Sequence, residues 1–158
     1  MISAREHGMS LALTQARQAL LKKEVPVGAV IMQGDEVIGV GFNQSISSHD
    51  PTAHAEIVAL REAAASTGNY RLPGAILYVT IEPCTMCVGA MIHARISKVV
   101  FGAREPRAGA LVSNLQLHQS AVYNHQLEVE EGVLADECRA LMKNFFRARR
   151  ERTGDTKN

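Results

Sequence analysis

The 158-residue sequence predicts a single α/β domain, a three-layer α/β/α sandwich around one mixed sheet of five strands. Three observations support this prediction. After an initial pair of strands, apolar runs typical of strands alternate with segments of helical periodicity. The run over residues 75–81 is almost entirely apolar, which predicts a central strand that is buried on both faces. Hydrophobic residues make up 46% of the chain, which is enough for one sizeable core.

The N-terminal segment predicts a helix followed by a hairpin. Ser3 and Glu6 have the spacing of a capping box, and apolar residues then recur at helical intervals. Residues 27–32 and 37–42 have the composition of strands and are separated by a Gly-Asp turn, so we expect them to pair as a hairpin. Glycines inside both strands predict that another backbone or a ligand approaches closely.

Three more helices and three more strands are expected in the rest of the chain. Thr52 is the expected N-cap of a second helix that begins at about Ala53 and ends at Gly68. A third helix follows the central strand, and the segment after it is long and polar. The remaining expected ranges are a strand at 98–102, an irregular segment at 103–125, a strand at 127–130 and a helix at about 135–150.

The last predicted helix completes the domain. We expect it to bury Leu141 and Phe146, whereas Phe145 and Arg149, four residues apart, share an outward face. Residues 153–158 are expected to form a frayed tail, so that the domain spans residues 1–152.

Two motifs carry the candidate chemistry: His54-x-Glu56 and, downstream, Pro-Cys84-x-x-Cys87. Imidazole and thiolate are the ligands that zinc prefers, and His54, Cys84 and Cys87 supply three of them. A fourth position is thereby left open for water, whose pKa zinc lowers to about 7. Glu56 is the candidate catalytic residue, a proton shuttle beside that water. Together the two motifs are typical of zinc-dependent nucleobase deaminases.

Both motifs fall where helices are expected to begin. The positive end of a helix lowers the pKa of a thiol and so favours metal binding. Right-handed crossovers predict that these helix starts meet at the carboxyl ends of the strands. His93 is expected to be a structural or solvated histidine, because His54 already supplies the imidazole.

Composition excludes several other classes of protein. Only three cysteines are present, two of them assigned to the metal, which leaves no disulfide framework and fits the cytoplasm. No apolar stretch approaches the ~20 residues of a membrane span, and the first residues lack the apolar core of a signal peptide. The net charge of +1 does not by itself indicate a nucleic-acid ligand. Excess positive charge is instead concentrated near the C-terminus, at Arg139, Lys143, Arg147, Arg149, Arg150 and Arg152.

Segments spread over nearly the whole chain resemble the bacterial tRNA-specific adenosine deaminases. This resemblance implies a cytidine deaminase-like fold, a homodimer and one Zn²⁺ per subunit. It also implies the anticodon stem-loop of a tRNA as partner, with conversion of the wobble adenosine of an arginine tRNA to inosine. The segments that carry the resemblance are residues 24–30, 49–56, 82–84, 89–93, 101–104, 132–138 and 145–147.

The resemblance also assigns roles to individual residues. The zinc ligands and the proton shuttle of the family fall on the four residues named above. Asn43, which from the residues alone is favoured to be an ordinary turn asparagine, matches a substrate-contacting asparagine. Phe145 and Arg149 match positions on the helix that touches the anticodon loop. At Glu105 the sequence departs from the family, whose members carry Asp beside the substrate ribose.

Two other interpretations stay open. A free-base deaminase acting on cytosine or guanine would use the same zinc site and the same fold. An RNA-binding module with a purely structural zinc belongs to a different class. The presence of Glu56 and the missing fourth protein ligand argue against that module.

Overall fold

The structure, a computed structural model, describes residues 2–154. In that part of the chain it contains four α-helices, five strands and a short 3₁₀-helix, Leu117–Gln119. None of these helices is both long enough and apolar enough to cross a membrane. In chain order, the helices and strands are α1 (Ala4–Leu21), β1 (Gly28–Gln33), β2 (Glu36–Phe42), α2 (Ala55–Thr67), β3 (Ile76–Ile81), α3 (Thr85–His93), β4 (Lys98–Ala103), β5 (Glu128–Glu131) and α4 (Ala135–Gly154).

The five strands form one mixed sheet in the order β2-β1-β3-β4-β5. β1 is antiparallel to both β2 and β3, whereas β4 is parallel to β3 and to β5. The hairpin formed by β1 and β2 and the central position of β3 confirm two of the predictions from the sequence. Since β3 and β4 are parallel and adjacent, α3 is the crossover helix between them.

Helices cover both faces of the sheet, which confirms the three-layer architecture. Tyr78 of β3 lies beneath Gly8 of α1, and Gly102, on the same face of β4, meets Cys138 of α4. The opposite face carries α2, which lies on Gly41 of β2, and α3, which lies beside α2. The core therefore fills two layers, one above and one below the sheet.

Glycines in the first two strands allow helix backbones to lie directly on the sheet. A Cβ atom on Gly28 would lie 2.0 Å from the carbonyl oxygen of Ala12 in α1. On Gly39 or Gly41, it would lie 2.4 Å from a carbonyl oxygen of α2. Such separations are far below van der Waals contact, so only glycine fits at these packing densities. The prediction of a close backbone approach is confirmed.

The caps at Ser3, where α1 begins, and at Gly68, where α2 ends, confirm the predictions from the sequence. The Ser3 hydroxyl accepts a hydrogen bond from the Glu6 N–H at 3.2 Å, as in a capping box. α1 ends at Leu21, with Lys22 as its C-cap. α2 ends at Gly68, which has a left-handed backbone with φ of 70°.

The N-cap of α2 is His54, so the prediction of Thr52 as N-cap is wrong. Asp50 explains the difference. Its Oδ1 accepts hydrogen bonds from the backbone N–H of Thr52 at 2.9 Å and from the Thr52 hydroxyl at 2.7 Å. This local turn occupies the hydroxyl that would otherwise cap the helix. α2 therefore begins at Ala55, two residues later than expected.

The last helix is longer than the sequence indicates, since α4 continues to Gly154. Leu141 packs against the core, as expected. Phe146 is 37% exposed, so its predicted burial is wrong. The residues of α4 that belong to the core or pack against it are Cys138, Leu141 and Met142, and Phe146 lies beyond that group. Of the frayed tail predicted for residues 153–158, the part beyond Gly154 lies outside the described residues.

Candidate active site

The two sequence motifs come together where α2 and α3 begin. His54 is the N-cap of α2, Cys84 is the N-cap of α3, and Cys87 lies in the first turn of α3. β3 leads through Glu82 and Pro83 directly into this turn, so the central strand positions both cysteines. The hydrogen-bonded sheet thus holds the two thiols, and the packing of α2 brings the imidazole to them.

The distances within this cluster fit a bound zinc ion. The Nδ1 atom of His54 lies 3.6 Å from the Sγ atom of Cys84 and 3.6 Å from that of Cys87. A tetrahedral zinc with Zn–S of about 2.3 Å and Zn–N of about 2.0–2.1 Å requires N···S separations of about 3.6 Å. Within residues 2–154, this group of potential metal donors contains these three residues and no fourth. The donor set therefore matches a catalytic zinc, with one position left open.

Electrostatics at the cluster also favour metal binding. Hydrogen bonding from the Cys87 thiol, and then from His54, lowers the pKa of Cys84 to about 4. The same contact with Cys84, together with burial, raises the pKa of Cys87. Cys84 in turn raises the pKa of His54. Without a metal the three groups share protons, and a zinc ion replaces those protons because its ligands are thiolate and neutral imidazole.

Glu56 lies in the first turn of α2, beside the metal donors. It is only 4% exposed, and burial raises the pKa of its carboxyl to about 7. A carboxyl with a pKa near neutrality can both accept and release a proton at physiological pH. Its side chain interacts with that of Cys87, so this carboxyl is adjacent to the candidate metal ligands.

Asn43 joins the end of β2 to the start of α2. Its side-chain Oδ1 accepts a hydrogen bond from the N–H of Ala55 at 2.8 Å. Because this bond occupies the carbonyl end of the amide, the amide nitrogen keeps its two N–H donors for another partner. Asn43 lines the same cavity as Glu56 and is therefore more than a turn asparagine.

A cavity of about 650 Å³ opens over the cluster. Asn43, His54, Glu56 and Cys84 line one part of it. The segment after β4 and one face of α4 line the rest, and five of the lining side chains from these two elements are basic. They are Arg104, Arg107, Arg139, Lys143 and Arg150.

One face of α4 lines the cavity, and the RNA contacts that the resemblance assigns to Phe145 and Arg149 stay a prediction. Phe146 and Arg150 line it, whereas Phe145 and Arg149 are not among the lining residues. Phe145 is half-buried and makes an edge-on contact with Phe146, with 5.2 Å between the ring centroids. The cavity-lining residues of α4 are 139, 142, 143, 146 and 150, a helical repeat that the sequence itself contains and that would have identified this face.

Glu82 is a further residue at the site that sequence analysis did not single out. It lines the cavity next to Pro83 and Cys84, is 3% exposed, and forms hydrogen bonds with a loop on the far side of β4. No local sequence pattern indicated this role, because its partners lie 23 to 31 residues downstream.

An α/β/α sandwich with a His-Cys-Cys centre and a buried glutamate at the helix starts defines a zinc-dependent deaminase. A family model of the cytidine and deoxycytidylate deaminase zinc-binding region matches residues 2–103. This match covers the three metal donors and Glu56.

Comparison with individual proteins narrows the class. A tRNA-specific adenosine deaminase of Haemophilus influenzae is 49% identical over 147 residues, which cover 92% of this chain and 85% of that protein. One from Bacillus subtilis is 42% identical over 144 residues, covering 91% of this chain and 89% of the relative. The chain therefore belongs to the family of the tRNA-specific adenosine deaminases.

Two solved structures agree with this placement. One, from a study of A-to-I editing by tRNA:A34 deaminases at the wobble position of transfer RNA, has a TM-score of 0.83 and 41% identity; the match covers 85% of this chain and 98% of that one. A guanine deaminase from Nitrosomonas europaea has a TM-score of 0.79 and 25% identity; here the match covers 92% of this chain and 86% of the other. The fold is thus shared by deaminases of different substrates, and the higher identity lies with the tRNA-specific family.

The metal assignment predicts that zinc content depends on Cys87 and not on Cys138. We expect about one zinc per chain in the wild-type protein and much less in Cys87→Ala, because two protein ligands hold zinc weakly. Elemental analysis of the purified, dialysed proteins measures this. Cys138→Ala is the matched control, since Cys138 is also buried but lies on α4 against Gly102. Full zinc content in Cys87→Ala would contradict the assignment.

Proposed function

We propose that this protein hydrolyses the exocyclic amine of the wobble adenosine in a tRNA anticodon loop, releasing ammonia and leaving inosine. The observation that carries the proposal is the cavity, which joins the zinc donors and Glu56 to a basic rim. The tRNA-specific relatives are named for an activity of this kind. Such a reaction takes place where tRNA is found, so we place the protein in the cytoplasm; cell fractionation would check this.

The chemistry is divided between the metal centre and Glu56. His54, Cys84 and Cys87 would hold the zinc ion, which when bound supplies a Lewis acid and an activated water. With a pKa raised to about 7 by burial, Glu56 is suited to take a proton from the attacking water and deliver it to N1 of adenine. Glu56 then takes the proton of the hydroxyl group added at C6 and passes it to the amine, which leaves as ammonia while C6 becomes a carbonyl. A single carboxyl thus moves protons to both nitrogens over a short distance.

Access to the centre favours an unpaired base. The target adenine has to leave its stack to enter the cavity, which is easier in an anticodon loop than in a duplex. Asn43 is positioned to donate from its amide nitrogen to an acceptor on the base, because its oxygen is already bound to Ala55. We propose this contact as the substrate-binding role of Asn43.

We propose that α4 binds the anticodon stem-loop. Its cavity-facing side carries Arg139, Lys143 and Arg150, which are suited to phosphates, and the partly exposed Phe146 ring, which is suited to stacking on a base. The contacts at Phe145 and Arg149 that the resemblance implies would extend this surface. An arginine tRNA is the proposed substrate.

We also propose a homodimer that forms through an apolar groove between α2 and α3. The groove is lined mainly by apolar side chains, and Tyr70 at its edge is 68% exposed. An exposed apolar surface of this kind is typical of an interface. Sedimentation at micromolar concentration should show two chains, and a monomer would contradict the proposal. The groove is lined by Ile57, Leu60, Arg61, Ala64, Tyr70, Ala90, His93 and Ala94.

A substrate panel tests the proposed function directly. The zinc-loaded protein is incubated with an anticodon stem-loop, free adenosine, cytosine and guanine, and ammonia release is measured. We expect kcat/KM for the stem-loop to exceed that for adenosine by at least about 100-fold, because the RNA contacts contribute to transition-state binding. Activity on cytosine or guanine alone would favour a free-base deaminase, which shares this fold.

Two single substitutions on α2 accompany this panel. One removes the candidate proton carrier, and the other is its control. Glu56→Gln keeps the shape of the side chain but cannot carry the proton, so we expect kcat to fall by about 10² to 10⁴ with zinc retained. Glu62→Gln changes an exposed carboxylate on the same helix and should leave the rate unchanged. Near-normal turnover by Glu56→Gln would exclude the proton shuttle, and deamination by zinc-free protein would exclude the metal mechanism.

The role of α4 predicts a change in the salt dependence of RNA binding. Loss of one phosphate contact lowers the slope of log K against log salt by about 0.7 to 0.9. We expect this change for Arg150→Ala, which alters the cavity rim, and for Arg149→Ala, where the resemblance implies a contact. Fluorescence anisotropy with a labelled stem-loop at several salt concentrations measures it. Arg71→Ala, an exposed arginine before β3, is the control, and unchanged slopes in both α4 variants would refute the phosphate contacts.

A further inference from the structure

The carboxylate of Glu82 is buried and surrounded by hydrogen-bond donors from one loop. Its side chain is 3% exposed. Oε1 accepts from the N–H of Glu105 at 3.0 Å and from the hydroxyl of Ser113. Oε2 accepts from the N–H groups of Leu111, Val112 and Ser113 at 3.2, 2.8 and 2.9 Å. Five donors thus converge on two oxygens, which is close to the full acceptor capacity of a carboxylate.

Backbone contacts bring the same loop against the strand that carries Glu82. The N–H of Ala110 donates to the carbonyl of Pro83 at 2.9 Å, and the N–H of Glu82 donates to the carbonyl of Ala103 at 2.9 Å. Gly109 lies directly on the carboxylate, since a Cβ there would be 2.4 Å from either oxygen. The loop is therefore wrapped around the side chain of Glu82, and Gly109 is required for the close fit.

This wrapped loop, residues 105–113, forms part of the cavity wall. Residues 105–108 all line the cavity. They lie between the Glu105 N–H and the Leu111 N–H, and both of those groups are bound to Glu82. The carboxylate therefore fixes both ends of a segment that would otherwise be a long irregular connection.

No neutral side chain could replace these interactions. A buried carboxylate is unfavourable unless its oxygens are fully hydrogen-bonded, and here the donors are mainly backbone amides of one loop. Arg104, whose own carboxylate partner is Glu131, is the nearby cation and does not hydrogen-bond to Glu82. Among residues 2–154, the partners that hydrogen-bond to this carboxylate are loop groups and not cations, so the arrangement organises the loop.

We propose that Glu82 is a positioning residue, which acts through the 105–113 loop to hold one wall of the substrate cavity in place. This inference rests on the proposed function, because the wall meets whatever nucleic acid enters the cavity. Glu82 lies two residues before the ligand Cys84, so the strand that delivers the metal donor also anchors the wall. The positions of the metal donor Cys84 and of the cavity wall therefore both depend on the end of β3.

Glu82→Gln tests the hydrogen bonds at single-residue resolution. The Ser113 hydroxyl can accept as well as donate, so the new amide nitrogen should take the place of Oε1, and the N–H of Glu105 then has no acceptor. Amide hydrogen exchange should therefore quicken by about ten- to a hundredfold at Glu105, with smaller changes at 111–113. NMR or mass spectrometry of the zinc-loaded protein measures this independently of activity.

Kinetics on the anticodon stem-loop form the second readout. A displaced wall weakens substrate positioning, so we expect KM to rise about tenfold with kcat within about threefold of wild type and zinc content unchanged. Gly109→Ala provides a second variant if Glu82→Gln fails to fold. It leaves the charge of Glu82 in place but pushes the loop away, and it should give the same rise in KM.

Glu24→Gln is the matched control. Glu24 is a second buried carboxylate, 1% exposed, that accepts hydrogen bonds from the N–H groups of Ile46 and Ser47 at 3.1 and 2.7 Å. Its replacement should quicken exchange at residues 46–47 and leave exchange in the 105–113 loop unchanged. A loss of protection in both loops in either variant would indicate general destabilisation and would overturn the specific role of Glu82.

Two further results would overturn the proposal: unchanged exchange at Glu105 in Glu82→Gln, or quickened exchange with an unchanged KM. A fall in kcat with KM unchanged would assign Glu82 to the chemical step and would also overturn it. If wild-type protein fails to deaminate the stem-loop, the proposed function fails. In that case the exchange of Glu105 still decides whether Glu82 holds the loop.

Discussion

The zinc site depends on the direct contact between the backbones of α2 and β2. Gly39 and Gly41 of β2 place no side chain between the strand and α2. The helix therefore lies as close to the strand as its own carbonyl groups allow. Asn43 adds a second connection where β2 ends, by accepting the N–H of Ala55. His54 immediately precedes the first turn of α2, which these two contacts hold against β2. Its Nδ1 therefore lies at a defined height above the sheet, 3.6 Å from each sulfur of the thiols that β3 delivers.

Two buried carboxylates each organise one loop, and the loop held by Glu82 lines the cavity. Glu24 holds the loop after β2, and Glu82 holds the loop after β4. Burial alone would raise the pKa of both, but hydrogen bonds from Ser47 and Ser113, with neighbouring backbone N–H groups, lower each pKa below its ordinary value. An apolar side chain at either position would leave several loop amides without acceptors, and that loss exceeds the gain from apolar burial. One wall of the cavity, formed by the loop after β4, is therefore held by a buried ion.

Much of this architecture could be predicted from the sequence, because its signals are local. Strand and helix periodicity, the Gly-Asp turn and the His-x-Glu and Cys-x-x-Cys spacings each involve neighbouring residues. The features that were missed depend on distant partners. Thr52 was expected to cap α2, but Asp50 holds its hydroxyl. The exposure of Phe146 depends on where α4 docks on the sheet. Glu82 binds amides up to 31 residues away, and no pattern around Glu-Pro-Cys indicates them.

Catalysis on a nucleic acid requires a reaction centre shielded from water and a wide, charged entrance. In this structure the centre is buried, and the charged entrance lies at the surface. Glu56 is 4% exposed and Cys87 is fully buried, whereas the cavity face of α4 reaches solvent at Phe146. The charged groups that act on the pKa of Glu56 are His54 and Cys84, which belong to the centre itself. The arginines of α4 are exposed, so solvent and salt screen their charge over the distance to Glu56. The positive charge proposed to attract phosphates at the rim therefore does not lower the pKa of Glu56, on which the proposed proton shuttle depends.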